Sequence, residues 1–310
     1  MPNWNEVLTE IHQASQDNPK LNPLDTVRRK YLKKVSDITN RNTIAYYSGW
    51  LQKPLAPDTA VNDKDKSGFM LAINKLDRTK GLDLILHTPG GDIAATESLV
   101  DYLYSMFDKD IRVIVPQISM SAGTMIALAS KEIMMGKHSN LGPIDPQMGG
   151  LACQAVLNEF EQAKEDIRVN PHAAALWQVI ISKYHPTFLG ACKQAIEWSE
   201  RMVEEWLKNN MCLTDPAKVA AIIDTFANHT IQKSHARHIS KKECEDIGLN
   251  ITDLESNQNL QDAVLTTHHA FMHTFSNTYC VKIIENQDGV AYVEQSAPPP
   301  SQHNQPPHTP

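Results

Sequence analysis

Several common signatures are missing from this chain, and each absence removes a class of protein. The five cysteines, Cys153, Cys192, Cys212, Cys244 and Cys280, are odd in number, widely scattered and without CxxC spacing. That excludes a disulfide framework and a cysteine-built zinc site, and it fits a reducing compartment. No HExxH run, acidic metal cluster or GxxxxGKS loop occurs, so no metal, nucleotide or other cofactor is expected. An excess of basic charge is also lacking: 29 Lys and Arg stand against 36 Asp and Glu, a net charge of -7. A nucleic-acid partner would leave a basic footprint, and none is present. The first twenty residues carry charges and amides throughout, with no apolar signal core, and no later run is long enough to cross a bilayer. The expectation is a cytoplasmic protein without an integral membrane segment. No self-similarity of 20 to 50 residues is visible, which excludes a solenoid.

What the 310 residues do contain is 41% hydrophobic side chains, enough for a sizeable core. An amphipathic helix from Asn5 to Ser15 is broken by the two prolines of "NPKLNPLD", and a second helix carries "VRRKYLKKV". Its basic cluster, Arg28, Arg29, Lys30, Lys33 and Lys34, reads as a solvated helix face or a subunit contact. After Arg41 the pattern changes. "NTIAYYSGW" and "LDLILH" read as strands, "AATESLVDYLYSMF" as a helix with Ala95, Leu99, Tyr102 and Met106 on one face, and "IRVIVPQI" and "KEIMMG" as further strands. Alternation of this kind predicts an α/β fold on a mainly parallel sheet, with functional loops at the strand ends. Helices follow at 152–169, 174–184 and 188–210, then through "DPAKVAAIIDTFANH". "TYCVKIIENQDGVAYVEQ" reads as a hairpin turning at "QDG". The tail "SAPPPSQHNQPPHTP" is too rich in proline and polar residues to bury a core and is expected to be disordered.

Two short motifs carry the chemistry. "HTPGGD", His87 to Asp92, ends a strand in a glycine turn whose backbone amides lack side-chain cover, which suits an oxyanion but equally suits a tight turn. "SMSAGT" places Ser121 at the start of a helix beside the Ala122 amide. That resembles a nucleophile elbow, and it also resembles an N-cap by Ser119 or Ser121.

Taken together, "HTPGG", "MSAGT" some thirty residues later and "GPIDPQ" resemble the Clp-like serine peptidases. With "RNTIAYYSGWLQKP", "GLDLILHTPGGDIAATESLVDYL" and "MGKHSNLGPIDPQ" they more closely resemble the serine dehydrogenase proteinase family, relatives of signal peptide peptidase A, over Arg28 to Leu249. The resemblance implies a ClpP/crotonase-like fold of repeated ββα units with a helical C-terminal portion. It divides the chain into an N-terminal helical arm (1–40), the core (41–150), a helical part completing the catalytic domain (151–250), a helix and hairpin extension (251–295) and the tail (296–310).

The same resemblance implies a serine endopeptidase acting on protein or peptide substrates, assembled as a homo-oligomer through helical segments such as Phe188 to Leu207. Ser121 is the implied nucleophile, with Ser119 as fallback, and Gly91 with Ala122 supplies the oxyanion amides, Gly90 being the alternative donor. For the base, Clp subunits carry a histidine about twenty-five residues after the serine, where this chain has Asp145. A carboxylate is a weak base for a serine proton. Relatives of signal peptide peptidase A use a Ser-Lys dyad, which implies Lys164, with Lys183 further downstream. His138, His235 and His238 are other groups that can approach the cleft, and nothing in their spacing selects one. Two further functions share the fold: an inactive scaffold, and a crotonase-type acyl-thioester enzyme relying on Asp145 or Asp92.

Overall fold

The computed structural model describes residues 3–296. All but the first residue of the proline-rich tail lies outside them. Helix α1 (Trp4–Asp17) opens with a reciprocal capping box between Asn3 and Glu6, and α2 (Pro23–Thr39) starts on a proline whose missing N–H costs nothing at that position. There follow β1 (Asn42–Ser48), α3 (Lys64–Ile73), β2 (Leu82–His87), α4 (Ile93–Phe107), β3 (Ile111–Val115), α5 (Ala122–Leu128) and β4 (Glu132–Met135). The helical stretch comprises α6 (Cys153–Val169), α7 (Ala174–Ile181), α8 (Phe188–Asn209), α9 (Pro216–Ala227), α10 (His229–Gln232) and α11 (Lys241–Asp246). The chain then returns to the sheet through β5 (Ile251–Asp253), α12 (Gln258–Asn277), β6 (Cys280–Asn286) and β7 (Ala291–Gln295).

The seven strands form one sheet in the order β5-β4-β3-β2-β1-β6-β7. The first five are parallel, and β6 runs antiparallel to both β1 and β7. Every residue of β1 and β2 is buried, as expected of parallel strands covered on both faces. Alternation divides them. Ile44, Tyr46, Leu84 and Leu86 face one core with residues of α3, α4, α5, α8 and α9. Ala45, Tyr47 and Ile85 face the other, beneath α2 and α12, where Tyr47 stacks on Phe271 with ring centroids 4.0 Å apart. One face of α8 buries Cys192, Ala195, Met202, Val203, Trp206 and Leu207 within its own chain.

Residues beyond 250 are part of this frame. They supply β5 at one edge and the β6–β7 hairpin at the other. A buried ion pair ties the hairpin to α2: Arg28 donates from Nε to Glu285 at 2.6 Å, and the two side chains are 2% and 0% exposed. A second joins β6 to α3. Lys282 Nζ, fully buried, donates to Asp65 Oδ1 at 2.7 Å and to the Ala60 carbonyl at 2.8 Å, while the Tyr46 hydroxyl donates to Asp65 Oδ2 at 2.7 Å.

Under α12, burial has a pH-dependent consequence. His87 is wholly buried against Trp50, Tyr47 and His268, and desolvation pushes its imidazole down to about 3, although the Ile118 carbonyl opposes the shift. His268 is also pushed down, first by burial and then by the neighbouring imidazoles His87, His269 and His138. Both rings enter the fold neutral, whereas in the unfolded chain they protonate near 6.5. The unfolded state therefore binds more protons below that pH, and stability that is complete at neutral pH is lost as pH falls toward the folded value. For His87, the loss between pH 7.5 and 5 is expected to be about 2 kcal/mol. Urea midpoints across that range should fall steeply in the native protein and less steeply in His87→Gln.

Candidate active site

Downstream of β3, the pair Ile118–Ser119 lies parallel to Asn140–Leu141, which in turn meets Ile239–Ser240. The chain then turns sharply at Ser121, whose backbone has φ 50° and ψ -119° immediately before α5. For a residue with a Cβ, this left-handed geometry costs about 1–3 kcal/mol and persists only where surrounding bonds hold it. Here Met120 N donates to Thr88 O at 3.0 Å, Gly123 N to Met120 O at 2.8 Å and Met125 N to Ser121 O at 3.0 Å. The Ser121 side chain makes no capping bond, so N-capping does not account for its position. Ser119 is 0% exposed and its hydroxyl finds no partner among the described residues. A Cβ added at Gly123 would sit 2.5 Å from Ser119 Oγ, which places that hydroxyl in the packed interior. Of the two serines, Ser121 alone lines the cleft.

The glycine turn after β2 packs directly on this corner. At Gly90, φ is 93° and a Cβ would lie 2.5 Å from Ser121 Cβ and 2.8 Å from Ala122 N, so no larger residue fits. A one-residue bridge fixes the turn: Val61 N donates to Gly90 O at 2.8 Å, and Asp92 N to Val61 O at 3.0 Å. The Gly90 amide is committed to Thr88 Oγ1 at 3.2 Å. By contrast, the amides of Gly91 and Ala122 have no acceptor among the described residues. Asp92 caps α4, accepting from Ala95 N at 2.7 Å.

These groups open onto a cleft of about 600 Å³, walled by Ile93, Met125, Ile144, Met148 and Trp198 and reached by His235. Behind His235 lies Asp145, 1% exposed, on the loop between Pro143 and Pro146. Asp145 Oδ1 accepts from His235 Nδ1 at 2.7 Å. Its Oδ2 accepts from His229 Nδ1 at 2.9 Å and from Gln147 Nε2 at 2.9 Å. A carboxylate only accepts, so each imidazole donates from Nδ1 and keeps a basic lone pair on Nε2. For His235, that leaves the basic nitrogen on a ring shared with the Ser121 cleft. A hydroxyl, an oriented imidazole and free amides are the components of acyl transfer by a serine.

The remaining sequence candidates lie elsewhere. Lys164 is 70% exposed on α6 and pairs with Glu161 at 2.6 Å. The expectation of a Lys164 base is corrected by this position: an exposed, ion-paired ammonium lacks the desolvation by which a lysine becomes a proton acceptor. Lys183 is exposed beyond α7, His238 is exposed, and His138 lies against Lys137, Glu255 and Gln258 outside the cleft. His229 was missed altogether. The sequence signal was a pair of histidines six residues apart in "HTIQKSH", a spacing that puts them on different faces of a helix.

Comparison with known proteins decides the family. Residues 19–259, more than three quarters of the chain, match the family model described as ClpP-like SDH-type serine proteinase. The chain belongs to this family. Its α/β sheet with a helical portion agrees with a ClpP-like fold. The matched region contains Ser121, the Gly90–Gly91 turn, Asp145, His229 and His235, and it stops short of nearly all of α12 and of the β6–β7 hairpin. Two proteins of Methanocaldococcus jannaschii are similar to this ClpP-like SDH-type proteinase. The uncharacterized protein MJ0137 is 32% identical over 46% of this chain and 51% of its own length. The uncharacterized protein MJ1495 is 32% identical over 48% and 46%. The chain thus spans about half the length of the curated relatives it matches. A mutant of the membrane-bound stomatin-specific protease 1510-N aligns at 15% identity with a TM-score of 0.39, covering 62% of this chain and 74% of that one. Among the described residues, no helix is long and apolar enough to cross a membrane.

Proposed function

We propose that this chain is a serine peptidase whose nucleophile is Ser121 and whose general base is His235, oriented by Asp145. The observation that carries the reading is that Ser121 and His235 line one cleft while the second ring nitrogen of His235 is held by a buried carboxylate. His235 Nε2 takes the Ser121 Oγ proton as the oxygen attacks a peptide carbonyl. The resulting oxyanion is received by the Gly91 and Ala122 amides. His235 then gives the proton to the departing amine, and water hydrolyses the acyl-enzyme by the same route in reverse.

Two features favour these assignments over the alternatives. Gly91 is preferred to Gly90 as donor because the Gly90 amide is already bonded to Thr88. A crotonase-type reaction through Asp92 or Asp145 is disfavoured because one carboxylate caps α4 and the other holds two imidazoles. Labelling the full-length protein with a fluorophosphonate probe is expected to modify Ser121 stoichiometrically and to stop hydrolysis of fluorescein-labelled casein, with Ser121→Ala taking no label. An unlabelled, casein-inert native protein would instead point to a scaffold.

A further inference from the structure

Asp145 holds two imidazoles, and the reaction described above uses only one of them. We propose that His229 is a positioning residue for catalysis: by donating from Nδ1 to Asp145 Oδ2 it fixes the carboxylate in the one orientation that keeps Oδ1 on the Nδ1–H of His235. The proposal rests on the reading of His235 as base.

An aspartate carboxylate rotates about χ2 in a broad, two-fold well, so a single bond to His235 leaves its plane poorly defined. Hydrogen bonds weaken steeply once their angle opens, and a turned carboxylate would release His235 to swing or to change tautomer. Here the second oxygen is committed too, to His229 Nδ1 and Gln147 Nε2, both at 2.9 Å. Gln147 alone makes a weak clamp, because it belongs to the same loop as Asp145 and turns with it. His229 comes from a different element. The Asn228 side chain caps α10 by accepting from Thr230 N at 3.0 Å, and Asn228 N donates to Asp224 O at 3.2 Å, which fixes α10 to the end of α9. The Asp145 loop is tied to that same corner, with Ile144 N donating to Phe226 O at 2.9 Å. Loop and imidazole therefore share one anchor, and the carboxylate is gripped from both sides. His229 does not line the cleft, so it acts through Asp145 and not on the substrate.

The test is steady-state hydrolysis of fluorescein-labelled casein by full-length protein, with folding checked by thermal melting. His229→Ala is expected to lower kcat by roughly 10- to 100-fold, as removal of an orienting partner behind a functional imidazole does, with KM within about twofold of the parent. His229→Leu keeps bulk without a donor and should give the same loss. His229→Asn, whose amide nitrogen can stand near the Nδ1 position, should recover most of kcat. A His229→Leu or His229→Ala protein with unaltered kcat beside an inactive His235→Ala overturns the positioning role alone. A loss confined to KM, or one that asparagine leaves unrepaired, overturns it as well. If His235→Ala keeps full kcat, the base assignment fails first and this proposal falls with it.

Discussion

Replacing His235 with alanine is expected to lower kcat on fluorescein-labelled casein by roughly 10⁴-fold, while Lys164→Ala stays within about twofold of the parent. The contrast follows from where the two side chains stand. His235 reaches the Ser121 cleft, and its Nδ1 is bound to a buried carboxylate. Without it, the serine hydroxyl loses its proposed proton acceptor and the leaving amine its proposed donor; residual activity then comes from the amides and binding alone. Lys164 is a solvated ion-pair partner, and surface pairs contribute little even to stability. The reverse outcome, an inactive Lys164→Ala beside an active His235→Ala, would restore the Ser-Lys dyad and require the lysine to approach the cleft in some other arrangement.

The second large effect is on stability. Lys282→Met is expected to destabilise the fold by about 3–5 kcal/mol, because it strands the Asp65 carboxylate inside the protein with one partner gone. Asp65 would keep the Tyr46 hydroxyl and the Asn62 amide, at 2.7 and 2.9 Å, but would lose its only cation within bonding distance among the described residues. The double variant Lys282→Met, Asp65→Asn should be more stable than Lys282→Met alone, since the uncompensated charge is removed with its partner. Urea unfolding of the two single variants and the double variant measures this. A loss in the double variant equal to the sum of the two single losses would show that the pair is merely buried and not coupled.

The α/β frame was legible because it rests on local patterns. "NTIAYYS" and "LDLILH" are short, mostly apolar runs, as parallel strands covered on both sides require. The helix of α4 was readable from its spacing, of which Ala95 and Leu99 are buried while Leu103 takes the place read for Tyr102. The β6–β7 hairpin was readable from its turn, but its place beside β1 was not, since nothing in a hairpin's own residues names the strand it will join. Ser121 was readable for a similar local reason: a small-residue turn between strand and helix. Its choice over Ser119 was not fixed by sequence and followed from the packing of Gly123 against Ser119. The proposed base was hidden for the opposite reason. His235 lies 114 positions beyond Ser121, and only the folded chain brings the two to one cleft. Asp145, read as a poor substitute for an imidazole, is the group that holds one.

The bond from Lys282 to the Ala60 carbonyl reaches further than stability. Val61, the next residue, is the one bridged to Gly90 and Gly91. A strand near the far end of the chain thus braces the segment that shapes the glycine turn. During synthesis, Ser121, Asp145 and His235 all leave the ribosome before residue 282 exists. A nascent chain halted at residue 275 would hold Ser121, Asp145 and His235 and still lack the residue that braces the glycine turn beside them.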